Sequence, residues 1–169
     1  MKMKKLLIII LTIVFFNNGV ANSLIQVDIT RGNLDPLPVA VSPLHVDVKS
    51  EKLENLKIKN LGSNISSIIE KNFKSTGLFN PLNKDAFVQK PDIAHLKPRF
   101  EDWKLITAQA LVTGKLLVKD GKLKVEFRLW DVAASKEMIA LAFTTTPSNW
   151  RRVAHIISDK IYERLTGES

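Results

Sequence analysis

Apolar positions along the chain follow two periods, and the switches between them mark its elements. The clearest stretch is 108–130. Ala110, Val112, Gly114, Leu116 and Val118 alternate with mostly more polar neighbours. Asp120-Gly121 follows, a pair that favours the primed turn matching strand twist. Leu123, Val125, Phe127 and Leu129 then alternate strictly with Lys122, Lys124, Glu126 and Arg128. One face is apolar and the other charged, so the pattern predicts a hairpin with a half-buried second strand. Trp130 has the parity of the charged face, so it either covers something or stays exposed. After a turn over Asp131–Ser135, residues 137–144 read as a third strand, with Ile139, Leu141 and Phe143 on one face.

Two stretches change to helical spacing. Leu61, Ile65, Ile68, Ile69 and Phe73 fall on one stripe, with Asn60 or Ser63 placed to cap its start and Gly77 to end it. Trp150, Val153, Ala154, Ile157, Ile161 and Leu165 form a second stripe, with Ser148 as the expected N-cap and Gly167 as the stop. Between them, Pro81, Pro91 and Pro98 forbid a long element. A short helix fits Asp85–Gln89, and another fits Phe100–Ile106 with Trp103 as its anchor. Upstream, Val39–Val41 reads as a short buried strand, with Pro38 and Pro43 at its ends or on an edge. Residues 46–56 read as a loop. The order predicts an α/β fold, a mixed β-sheet with two main helices packed on one face.

Nearer the N-terminus, Ile25, Val27 and Ile29 alternate with Gln26, Asp28 and Thr30, a strand pattern ended by Arg31-Gly32-Asn33. Ahead of it, Lys2, Lys4 and Lys5 precede an apolar run from Leu6 to Phe16. Gly19-Val20-Ala21 offers small residues for cleavage. The run is shorter than the roughly 20 residues a bilayer-spanning helix needs. The reading is a secretory signal peptide over 1–21, a mature chain starting at Asn22, and a periplasmic location. No Cys stands at the cleavage point, so no lipid anchor is expected there. The segment 22–35 is then an arm at a free chain end, ahead of a domain over 36–167. Such an arm either pairs with its own sheet or adds to a partner's sheet edge.

Charge and chemistry narrow the reading. The formal charge of +8 falls to +5 without the three lysines of residues 1–21, and the remaining cations are scattered, which gives no nucleic-acid footprint. With no Cys, disulfides and thiolate chemistry are excluded. The seven glycines form no phosphate loop, and the three histidines lack metal-ligand spacing, so no cofactor or metal is expected. His155 and Asp159 lie four apart on the last helix, with Arg152 nearby. They are the one constellation an enzyme could use, as an oriented base in a periplasmic ligand-binding or hydrolytic domain. No nucleophile accompanies them, and a plain i,i+4 pair explains them as well.

Longer runs carry a family likeness. They are Pro36-Leu37-Pro38-Val39-Ala40-Val41, Thr76-Gly77-Leu78-Phe79-Asn80-Pro81-Leu82, the Trp103 turn leading to Ala110-Leu111-Val112-Thr113-Gly114, Leu129-Trp130-Asp131, and the final run from Trp150-Arg151-Arg152 to Thr166-Gly167-Glu168. In these the chain resembles the N-terminal domain of the TolB family of the Tol-Pal envelope system. The resemblance implies a mixed sheet like that of an anticodon-binding domain and a periplasmic adaptor without catalysis. It implies that the arm binds the C-terminal domain of TolA, with Leu24, Ile25, Gln26, Val27, Asp28, Ile29 and Thr30 as the donated strand. Membrane contact would then run only through partner proteins. In the family a six-bladed propeller that binds Pal follows this domain. The chain has no blade repeats, so no Pal site is expected within it, and a truncated TolB remnant is the alternative reading.

Overall fold

The hairpin read from the sequence forms the middle of a six-stranded mixed sheet. The computed structural model describes residues 25–27, 35–47, 49–50 and 60–168. The strands are β1 (Leu37–Val41), β2 (His45–Val46), β3 (Phe79–Pro81), β4 (Ala110–Lys119), β5 (Lys122–Asp131) and β6 (Lys136–Thr145). The helices are α1 (Leu61–Thr76), α2 (Pro91–Ala94), α3 (Phe100–Leu105) and α4 (Trp150–Thr166). Strand order is β3-β1-β4-β5-β6, with β2 also on β4. β4 pairs antiparallel with β5 from Ala110↔Asp131 to Lys119↔Lys122. At the turn Asp120 and Gly121 have φ of 51° and 66°, the two positive values a type I′ turn requires.

The β1 line shows how proline edits a strand. Pro38 lies inside β1, which is paired on both sides, rather than at a free edge. It is tolerated because the β4 ladder starts one residue later, at Val39↔Ala110, so its missing donor falls below the first ladder pair. Its carbonyl still accepts from Gln109 N–H at 3.0 Å. At Pro43 the line breaks, then resumes as β2 against Lys115 and Leu116. Residues 45–46 therefore belong to the sheet, where the sequence reading had placed the start of a loop at Val46.

The faces of the sheet hold separate cores. Val39, Val41, Val112, Leu116, Val125, Phe127 and Leu129 meet Leu61, Ile65, Ile69 and Phe73 of α1 and Val153, Ile157 and Ile161 of α4, all buried. Both main helices thus lie on one face, as their stripes predicted. On the opposite face Ala40, Leu111 and Val132 pack with Ala94 and Trp103. Trp130 joins this second cluster, donating from Nε1 to Thr113 Oγ1 at 2.9 Å with its ring 5.7 Å from that of Phe100. The 85–89 helix expected from sequence is a 3₁₀ turn at Lys84–Ala86, with the next helical turn at Pro91–Ala94.

The helix stops are as expected: Gly77 and Gly167 are left-handed, at φ 71° and 78°. The starts are so only in part. Asn60 is the N-cap residue of α1, one of the two read for it, whereas Asn149 rather than Ser148 is the N-cap residue of α4; neither makes a side-chain capping bond to its helix. Asn60 (φ −97°, ψ −2°) and Asn149 (φ −89°, ψ 12°) are already close to helical, whereas a capping side chain needs an extended backbone to fold back.

Candidate partner-binding site

The strongest candidate lies where the arm meets the end of α4. The last turn of a helix leaves carbonyls without intrahelical partners. One of them, Leu165 O, accepts the Val27 N–H at 2.7 Å. Two residues earlier, Ile25 N–H donates to Asp131 Oδ2 at 3.2 Å. Asp131 is buried at the end of β5, and its Oδ1 accepts Ala134 N–H at 2.8 Å. A single carboxylate therefore holds both the β5–β6 turn and the arm. Ile25 and Val27 pack against the larger core while Gln26 faces out.

The alternation read from the sequence is kept, but residues 25–27 form no strand. Their neighbour is a helix end, which offers one carbonyl where a strand offers a ladder. Leu24, Asp28, Ile29 and Thr30, like the leader over 1–21, lie outside the described residues.

Beside the arm runs a shallow groove of about 510 Å³, lined by Gln26, Ile139, Lys160, Glu163, Arg164 and Gly167. A β-bulge shapes its wall: pairing shifts from Leu129↔Ile139 to Trp130↔Glu137, so Met138 is the extra residue on β6. The Met138 carbonyl accepts from Arg164 Nε at 3.4 Å. Lys160 is paired with Glu163 at 2.7 Å, so Arg164 is the cation this groove offers a carboxylate or a backbone carbonyl.

Sequence reasoning missed Asp131, Met138 and Arg164. Only Asp131 left a trace: it continues the odd-numbered, inward parity of Leu123 to Leu129, which puts a carboxylate at a core-facing position.

The enzyme-like constellation does not assemble. Among the described residues no hydrogen bond joins His155 to Asp159. His155 Nδ1 lies 2.9 Å from Asn72 Nδ2, and the same amide donates to Ser158 Oγ at 2.9 Å. The Ser158 hydroxyl gives its own proton to Ala154 O at 3.0 Å. These groups clamp α1 to α4. Arg152 is exposed on the same helix, and Arg151 stacks over the Trp150 ring at 4.3 Å. No group of three His, Cys, Asp or Glu suited to a metal occurs among the described residues.

The TolB amino-terminal domain family model matches residues 25–138. The chain is 69% identical over 150 residues to Tol-Pal system protein TolB of Pelagibacter ubique, covering 88% of this chain and 34% of that protein. TolB from Acinetobacter baumannii is similar in structure, with a TM-score of 0.63 at 20% identity over 86% of this chain and 32% of that one. The hypothetical protein CT253 from Chlamydia trachomatis gives a TM-score of 0.54 at 14% identity, over 76% of this chain and 98% of that one. These two likenesses concern the fold alone. The chain spans about a third of the length of its TolB relatives.

Proposed function

The chain belongs to the TolB amino-terminal domain family, and from that membership we propose a non-catalytic periplasmic adaptor of the Tol-Pal system. Its arm, Leu24–Thr30, donates a strand to the C-terminal domain of TolA. The contact supports outer-membrane integrity and envelope constriction at division.

The observation that carries this reading is how lightly the described arm residues are held. Ile25 and Val27 each give one backbone N–H to the body, one to a carboxylate and one to a helix end. Among the described residues, release breaks two hydrogen bonds and exposes two partly buried aliphatic side chains. The open edge of a partner sheet restores both kinds of contact, because backbone bonds supply affinity and alternate side chains supply specificity.

The test is calorimetry with the C-terminal domain of TolA from the same cell. A chain starting at Asn22 should bind, and one lacking residues 22–33 should give no heat. Val27→Pro, which removes a backbone donor, should weaken binding more than Val27→Ala. Equal binding with and without the arm would sink the proposal.

A further inference from the structure

The segment around α2 presents an apolar, basic surface. Val88, Ile93 and Leu96 are 68%, 50% and 71% exposed. Their outward aim is fixed by what their neighbours do. Gln89 is buried, with Oε1 accepting from Trp103 Nε1 and from Arg99 N–H, both at 3.0 Å, and Nε2 donating to Lys97 O at 3.4 Å. Ala94 and His95 are buried too. The His95 ring stacks on His45 at 4.5 Å, with Nδ1 2.9 Å from Pro91 O. The helical turn continues past α2, since Leu96 and Lys97 both donate to Ile93 O, so Ile93, Leu96 and Lys97 share one face.

Charge completes the picture. Lys90 and Lys97 are exposed and have no ion-pair partner among the described residues. Arg99 and Lys104, further along, are paired with Asp102 and Glu101. Asp92 is the one carboxylate between residues 88 and 98, and it lies near enough to His45 to favour that ring's protonation.

We propose that this face is a peripheral membrane-docking surface. Anionic phospholipid headgroups meet Lys90 and Lys97, while Val88, Ile93 and Leu96 enter the boundary between headgroups and acyl chains. Apolar side chains rimmed by cations are the chemistry of interfacial binding. Charge complementarity selects an anionic surface. The buried contacts of Gln89, Trp103 and His95 give the face a rigid footing. Binding should be weak and reversible. Membrane contact would then be direct, not solely through partner proteins.

The experiment is co-sedimentation with extruded vesicles at moderate salt. It uses the chain from Asn22, which retains every residue of the two cores. Vesicles containing phosphatidylglycerol should bind it, and pure phosphatidylcholine should bind it far less. A lysine near an anionic surface contributes about fivefold in binding, so Lys90→Glu with Lys97→Glu should cost at least about 25-fold. Ile93→Asp with Leu96→Asp should abolish binding with an unchanged melting midpoint. Removing residues 22–33 should leave it unchanged, which separates this result from the fate of the arm.

No binding to phosphatidylglycerol vesicles would overturn the proposal. So would equal binding by parent and lysine variant, which would mark diffuse attraction to a basic protein. Variants that bind vesicles normally but lose an envelope protein would make the face a protein-docking surface instead. If the aspartate variant fails to fold, the lysine pair and the two lipid compositions still decide.

Discussion

At the scale of single residues, close approach and protonation set the sharpest expectations. A Cβ at Gly62 would run into the Leu44 carbonyl oxygen, where Leu44 N–H donates to Gly62 O at 3.3 Å. The obstacle is backbone, so it cannot swing aside. Gly62→Ala should destabilise by about 3 kcal/mol, the upper end of overpacking costs. The exposed neighbour Ser63→Ala should stay within about 0.5 kcal/mol. Chemical denaturation of the two variants checks this.

His45 sets a second expectation at this scale. Burial first, then the neighbouring His95 and more weakly Lys115, hold His45 below its ordinary 6.5, against the pull of Asp92 and Asp47. The fold therefore favours the neutral ring. On acidification the unfolded chain takes the proton first. The stability His45 contributes is present above 6.5 and is lost as pH falls through the lower folded value. Glu70 works in the opposite sense, because burial raises its carboxyl despite Lys84, so acidification favours its folded form. Glu126 is lowered, chiefly by its hydrogen bond from Lys124, so its contribution is lost only below the ordinary 4.5. Unfolding midpoints measured from about pH 7.5 to 5.5 should fall, and His45→Gln should flatten that slope. An unchanged slope would show that the stacked pair does not carry it.

At the scale of elements, what was legible is what periodicity alone decides. The β4–β5 hairpin announced itself because strict alternation and Asp120-Gly121 agree with each other. The stripes of α1 and α4 did so because each buries one face against the same sheet. What could not be read depends on which element comes to lie alongside. β2 has two residues, too few for a period, and exists because β4 extends past the break at Pro43. Asn60 sits at the cap position read for it, but neither cap side chain folds back on its helix, because the backbone enters both already turned. The arm shows both cases within three residues. Its alternation correctly separated Ile25 and Val27 from Gln26, but its hydrogen bonding followed from the helix end beside it. Asp131 was in plain view, and its parity pointed inward. Its role needed the arm in place to become visible.

At the scale of the whole molecule, the sheet and α1–α4 close both cores with residues from Val39 to Leu165, and the described arm residues add two partly buried side chains at the margin of the larger one. That geometry sets how the domain should answer when the arm is removed. Full burial of an aliphatic side chain contributes about 1.5–3 kcal/mol. Ile25 and Val27 are only partly buried. Ordering their backbone costs about 1–2 kcal/mol per residue, which offsets part of the gain. Deleting residues 22–33 should therefore cost at most about 2 kcal/mol net, or no more than roughly 8 °C in the thermal midpoint of a chain this size. The transition should remain single and cooperative, because no strand of the sheet is lost. Scanning calorimetry of the two chains reads both quantities. A fall beyond about 15 °C, about twice the most that the marginal contacts can supply, would make the arm a structural part of the domain and remove the physical basis for its release to a partner.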